Sequence, residues 1–283
     1  MALGSGSRTS QAVALTRAAM SRPHTEQGDP DAQRRLCEGM TPIRRPRPGI
    51  WARTRFFDDQ VLAAVDAGVS QVVICGAGYD DRALRFRSPG VRFFELDHPA
   101  TQADKARRLG ALGALGAGPP SVVLAPADFR HHDTAAVLAA AGHDAARPTL
   151  FLCEGLLIYL DEPVVQRLLA ALRSRAAQGS SLAASLATHP DGLDSGQVAA
   201  ELNAGRRHGQ TEPWLTVRPA AAWLGLLAEA GWAVCSQADP RSGSAAEGRS
   251  LLVVAQAQEL PHAAGAAATR TPPQPDETRV PPG

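Results

Sequence analysis

Two glycines and a series of carboxylates, each placed just after an apolar run, carry the chemistry that can be read from this chain. Gly76-Ala77-Gly78 follows the unbroken apolar run Val72-Val73-Ile74-Cys75. A second run, Val91 to Phe94, leads into Glu95 and Asp97; a third, Ser121 to Ala125, leads into Asp128 and Phe129; a fourth, Thr149 to Cys153, leads into Glu154. Paired glycines let the backbone turn sharply and let a ligand approach without a side chain in the way. A carboxylate can accept hydrogen bonds from both vicinal hydroxyls of a ribose. Strand, glycine turn, helix, strand and acid together predict a nucleotide-binding βαβ unit, with the ligand at the carboxyl edge of a parallel sheet. Any one acid at a strand end is explained as a cap or a solvated loop residue. One glycine-rich and three acidic strand ends around one edge fit a cleft better.

The type of nucleotide follows from what stands next to the glycines. A dinucleotide fingerprint needs a third glycine three positions after the second. Here the order is Gly76-Ala77-Gly78-Tyr79-Asp80-Asp81, with two carboxylates in its place. Two acids beside a pyrophosphate are repulsive, whereas a ligand carrying a sulfonium or an amine tolerates them. On that ground S-adenosylmethionine is expected rather than NAD.

Apolar periodicity predicts the elements that position these residues. Unbroken apolar strands are those buried on both faces of a parallel sheet. Helical spacing predicts helices over 11–21, 32–39, 50–68, 99–109, 134–141, 163–177, 195–206 and 219–230, with the start of another at Tyr79 to Phe86. A fifth strand is expected at Leu182 to Leu186, and two last strands at Trp232 to Ser236 and Leu251 to Ala255. Strands alternating with helices imply an α/β fold with helices on both faces. Residues 1–10 read as loose, 42–48 as an extended basic proline-rich segment, and 110–120 as a flexible loop. The segment from 258 lacks apolar periodicity and reads as a disordered tail. The expected division is an N-terminal helical lid (1–50), the catalytic fold (51–257) and the tail (258–283).

Composition excludes several classes. The chain has 283 residues, 44% of them hydrophobic, and a formal net charge of +1, which gives no reason to expect a nucleic-acid surface. Lys105 is the only lysine, and Arg, Ala and Gly are abundant, a pattern we attribute to GC-rich bacterial coding. Cys37, Cys75, Cys153 and Cys235 show no metal-ligand spacing, so no metal is expected. Three of them fall on predicted strands and are expected as reduced, buried apolar residues of a cytoplasmic protein. No apolar run approaches the ~20 residues of a membrane span, and the N-terminus lacks the order of a signal peptide.

Gly76-Ala77-Gly78-Tyr79-Asp80, Phe94-Glu95-Leu96-Asp97-His98-Pro99, Ala127-Asp128-Phe129-Arg130 and Glu154-Gly155-Leu156-Leu157-Ile158-Tyr159-Leu160, in that order and spacing, resemble the leucine carboxyl methyltransferase family. Within it they are most similar to the bacterial branch that includes O-methyltransferases of secondary metabolism. The resemblance runs from about Ala14 to Ala255, taking in Arg53-Thr54-Arg55-Phe56-Phe57-Asp58. It implies a class I, Rossmann-like S-adenosylmethionine-dependent methyltransferase fold, with a seven-stranded, mainly parallel sheet whose last strand is antiparallel. By position it implies that Arg53 holds the cofactor carboxylate, that Gly76 with Ala77 and Gly78 admits the methionine part, and that Asp97 takes the ribose. It further implies that Asp128 and Phe129 contact the adenine and that Glu154 lies near the amine. Where the family has Thr or Ser, this chain has Asp81. Some members bring a lysine from the N-terminal segment to the cofactor; here Arg17 or Arg22 is the available cation.

The expected reaction is methyl transfer to a hydroxyl or carboxylate of a small molecule. Alignment of donor and acceptor dominates such a displacement, and only a hydroxyl acceptor needs a base. Candidate bases are His98, His131, His132, His189 and His208, with His189 and His208 the better placed; Tyr159 and Trp214 are candidates for the acceptor wall. The alternatives are an NAD(P)-dependent oxidoreductase, weakened by the missing glycine, and a non-catalytic protein of the same fold.

Overall fold

The computed structural model describes residues 7–41, 48–113, 121–205, 212–239 and 249–258. Its centre is one mixed sheet built from β1 (Gln71–Cys75), β2 (Arg92–Asp97), β3 (Val122–Pro126), β4 (Thr149–Cys153), β5 (Ser181–His189), the two-residue β6 (Arg218–Pro219), β7 (Trp232–Ala238) and β8 (Arg249–Ala257). The order is β3-β2-β1-β4-β5-β8-β7, with β6 beside β5. Strands β1 to β5 pair in parallel, and β8 runs antiparallel to both β5 and β7. The expected seven strands are therefore present, with β6 as an addition.

Alternation along the central strands sorts side chains onto two cores. Val73, Cys75, Phe94, Leu96, Phe151 and Cys153 face one, and Val72, Ile74, Phe93, Leu150 and Leu152 face the other. The first is covered by α6 (Thr134–Ala140), α7 (Glu162–Ser174) and α9 (Ala220–Glu229), through Leu138, Val165, Leu169, Trp223 and Leu227. The second is covered by α2 (Ala32–Leu36), α3 (Pro48–Asp66) and α5 (Pro99–Ala111), through Leu36, Phe57, Val61 and Leu109. Burial on both faces is why these strands read as unbroken apolar runs.

The remaining helices are α1 (Arg8–Ala18), the single turn α4 (Arg82–Arg85) and α8 (Ser195–Ala204), and a 3-10 turn spans Leu157–Tyr159. Helix α1 begins at Arg8, inside the segment expected to be loose, because the Ser7 side chain accepts the Ser10 N–H and caps it. Helix α4 is much shorter than the expected 79–86. Asp80 and Asp81 there are held by side-chain partners rather than by helix, as described below. The basic segment 42–47, the loop 114–120, His208 and the tail from 259 lie outside the described residues.

Candidate active site

Neighbouring strands β1 and β4 diverge in connectivity: β1 leads back to β2 on one side, while β4 continues the sheet on the other. Ligands of open α/β sheets sit at such a switch point, beyond the carboxyl ends of the strands. A cavity of about 490 Å³ lies there. Its lining includes Arg53, Gly76, Ala77, Gly78, Asp97, Asp128, Phe129, Glu154 and Tyr159, so the structure brings together nearly every residue singled out in the sequence.

The glycine turn has positive φ at Gly76 (+67°) and Gly78 (+52°), a backbone that L side chains rarely adopt. Close packing adds to that restriction. A Cβ on Gly76 would stand 2.9 Å from Leu156 Cδ1, and one on Gly78 would stand 2.7 Å from Ser10 Cβ. Helix α1 thus lies directly against the turn, and Ser7, Ser10 and Arg17 join the cleft lining.

Asp97 ends β2 with both carboxylate oxygens already oriented. Oδ2 accepts the Gly78 N–H at 2.7 Å and Oδ1 accepts the His98 N–H at 2.7 Å. Each oxygen keeps a lone pair for a further donor. Burial raises the carboxyl from its ordinary value, and the two N–H groups work against that rise. Asp128 Oδ1 accepts the Arg130 N–H at 3.0 Å, and Phe129 is packed into the core beside it.

A buried arginine–carboxylate network underlies the glycine turn. Glu154 Oε2 accepts from Arg17 at 2.7 Å and from Arg82 at 2.8 Å, and its Oε1 accepts from Arg53 Nε at 3.0 Å. Asp80 Oδ2 pairs with Arg82 at 2.6 Å and with Arg17 at 2.9 Å. Asp81 pairs with Arg22 at 2.6 Å and Arg85 at 2.7 Å, and Arg22 and Arg82 both reach Asp58. Burial pushes Asp80 upward, but Arg82 and Arg17 outweigh it and bring the carboxyl to about 2. The same contest, won by Arg17, Arg82 and Arg53, holds Glu154 well below the usual carboxylate range.

These pairs change several expectations. Asp80 and Asp81 are neutralised by arginines, so repulsion of a pyrophosphate does not discriminate between cofactors here. Asp81 points away from the cleft and fastens Arg22, leaving Arg17 as the N-terminal cation at the cavity. Glu154 is the anchor of three guanidinium groups rather than a free acid beside an amine. Glu95 lies within β2 and faces the opposite core, where it pairs with buried Lys105. His189 stands outside the cavity lining, its ring nitrogens taken by Pro190 O and Ser195 Oγ, both at 2.8 Å. His131 and His132 are exposed next to Asp128, outside the lining. His98 does line the cleft, but its Nδ1 accepts the Ala100 N–H at 3.2 Å and caps α5. Among the cysteines, Cys235 is exposed on the edge strand β7, whereas Cys37, off any strand, is buried. All four are free thiols.

Sequence reasoning missed Glu212. It lies in the cleft lining beside Pro213 and Trp214, at the end of the polar insertion between α8 and β6. Among the described residues no group of side chains could hold a metal ion, and no helix is long and apolar enough to cross a membrane.

The strand order, the antiparallel β8 and the cleft at the glycine turn define the class I S-adenosylmethionine-dependent methyltransferase fold. Solved structures with this fold include a protein from Thermobifida fusca provisionally described as a methyltransferase, with a TM-score of 0.57 and 18% identity over 91% of this chain and 97% of that one. Magnesium protoporphyrin IX methyltransferase from Synechocystis, solved with S-adenosylhomocysteine, has a TM-score of 0.51 and 16% identity, over 80% of this chain and 93% of that one. The sequence profile of the leucine carboxyl methyltransferase family matches residues 9–173. A Streptomyces coelicolor relative, provisionally named an S-adenosyl-L-methionine-dependent methyltransferase, is 38% identical over 75% of this chain and 71% of its own length. A Mycolicibacterium gilvum relative of the same description is 43% identical over 57% of this chain, and that match spans about half of the relative, 52%. The chain belongs to the leucine carboxyl methyltransferase family.

The cofactor that family and fold imply is S-adenosylmethionine, and the residues fit it. Asp97 is pre-oriented with free lone pairs for two hydroxyls. Arg53 spends only its Nε on Glu154, and a planar guanidinium with terminal nitrogens to spare suits a carboxylate.

Proposed function

We propose that this protein methylates an oxygen, hydroxyl or carboxylate, of a small molecule, with S-adenosylmethionine as the methyl donor. The observation that carries the cofactor part of the reading is the anchoring of Asp97 by Gly78 and His98 at the head of the cavity, and the oxygen acceptor rests on the family resemblance. In this reading Asp97 takes the ribose hydroxyls, and Asp128 and Phe129 flank the adenine. Arg53 and Arg17 meet the carboxylate, held in place by Glu154. Gly76, Ala77 and Gly78 shape the floor. The bound cofactor supplies an electrophilic methyl group on a cationic sulfur. The chain's own task is to align the acceptor and exclude water. Helix α1 and the segment 212–217 form the walls that do so, with Tyr159 and Trp214 on the acceptor side.

The test is transfer of labelled methyl from S-adenosylmethionine to a panel of hydroxyl and carboxylate acceptors, with products separated as ethers and base-labile esters. Label in either class supports oxygen methylation. Label only on nitrogen, sulfur or carbon acceptors contradicts it.

A further inference from the structure

The segment 212–217 is pinned from two sides. Leu215 N–H donates to Ile158 O at 2.7 Å, and Thr216 Oγ1 donates to Leu160 O at 2.6 Å. Asn203 of α8 clasps the Trp214 backbone through two hydrogen bonds, 2.8 Å to its carbonyl and 2.9 Å from its N–H. These contacts fix Trp214 and Leu215 against the turn that carries Ile158, and Glu212, two residues before Trp214, lines the same cleft close enough to Asp97 to raise its carboxyl.

The other charged side chains in the described lining have partners. Asp80 and Glu154 are ion-paired with Arg17, Arg53 and Arg82. Asp97 and Asp128 accept backbone N–H groups at the cofactor side. His98 uses its Nδ1 as a helix cap. Arg130, on the exposed rim, donates to Tyr159 O at 3.1 Å. Glu212 is half-buried, and no hydrogen bond or ion pair joins it to another described residue.

Resting on the oxygen-methylation reading above, we propose that Glu212 is the general base and that the acceptor is an aromatic hydroxyl rather than a carboxylate. The acceptor O–H proton passes to the Glu212 carboxylate. The oxygen–methyl bond forms as the methyl–sulfur bond breaks, with that electron pair remaining on sulfur. A carboxylate acceptor needs no base and would meet the like charge of Glu212, while the spare nitrogens of Arg53 are assigned to the cofactor's own carboxylate. Trp214, Tyr159 and Ile158 offer flat and apolar surface for a ring.

The test compares the full chain with Glu212→Gln. S-adenosylhomocysteine affinity is the control on fold and cofactor site; if the wild-type chain does not bind it, the methyltransferase reading fails, not this proposal. With weakly acidic phenols the variant loses about 100-fold or more in kcat. With 4-nitrophenol, ionised at mildly alkaline pH, most of that loss disappears. A second readout needs no turnover: absorbance of 4-nitrophenol bound to the S-adenosylhomocysteine complex. The wild type favours the neutral phenol, because an ionised one would face Glu212, and Glu212→Gln favours the phenolate. Equal proportional losses for weak and strong phenols, the same ionisation of bound nitrophenol in both proteins, no nitrophenol binding to the complex, or methyl esters as the only products would each overturn the proposal.

Discussion

Arg17 on α1 reaches Glu154, just past the end of β4, at 2.7 Å and with both side chains buried, so the N-terminal helix is fastened directly to the floor of the cleft. The same guanidinium pairs with Asp80 after the glycine turn. One residue thereby ties the covering helix to the two strands that flank the switch point.

Arg17→Ala is therefore expected to weaken S-adenosylhomocysteine binding by about 10-fold or more, the scale of a lost hydrogen bond to a charged group. Arg17→Lys should recover part of the loss, since it restores charge but not the planar fork. Calorimetric titration checks both. Unchanged affinity in the alanine variant would remove α1 from the cofactor site.

Asp81 and Arg22 behave differently, because both are buried outside the cavity lining. Arg22→Met strands Asp81 and Asp58 without one of their partners, which should cost about 3–5 kcal/mol of stability. Cofactor affinity of the folded variant should fall much less than in Arg17→Ala, because Arg22 reaches the cavity only through Asp58 and Arg82. Urea denaturation and titration separate the two effects, and a stable variant that no longer binds would reverse the assignment.

How far the sequence foretold this site depended on the distance between interacting residues. Val72 to Cys75, the glycine turn and Asp97 were legible because a strand and its following turn are local, and a twice-buried strand has an unmistakable composition. For Asp81 the sequence left two readings open, a charge beside the ligand or a helix cap, since its partner Arg22 lies 59 positions away and only Arg85 is local. The acids at the helix start suggested a cationic ligand, yet their charge is met by Arg82 and Arg85 of α4 and by the distant Arg17 and Arg22, which only folding brings to them. Glu95 was placed at the strand end although it lies inside β2, where alternation turns it toward Lys105. Glu212 escaped notice because a polar insertion shows no period; only the hydrogen bonds of Trp214 to Asn203 and of Leu215 to Ile158 give its segment a place.

The network also sets the acid response. Asp80 is brought to about 2, and Asp81 and Glu154 are likewise lowered, as neighbouring arginines outweigh burial. A lowered folded value contributes stability above the ordinary carboxylate range of about 4, and that contribution is lost as pH falls through the folded values. Glu95 has the opposite sign. Burial outweighs Lys105 and lifts it to about 7, so its contribution is present below about 4 and lost as pH rises through about 7. Thermal unfolding across pH should show a steep decline in Tm toward pH 2 and a shallower one above neutrality. Replacing Glu95 and Lys105 together by Met should abolish the second decline and keep the first. A Tm that stays level from neutral pH down to about 2 would contradict the burial of these pairs.

Titration of S-adenosylhomocysteine into the wild-type chain and into Asp97→Ala tests the central assignment most directly. The anchored carboxylate at the end of β2 should make the wild type bind, and its removal should cost about 10-fold or more in affinity with the fold intact. Equal affinity in the two proteins would place the cofactor elsewhere and contradict the site described above.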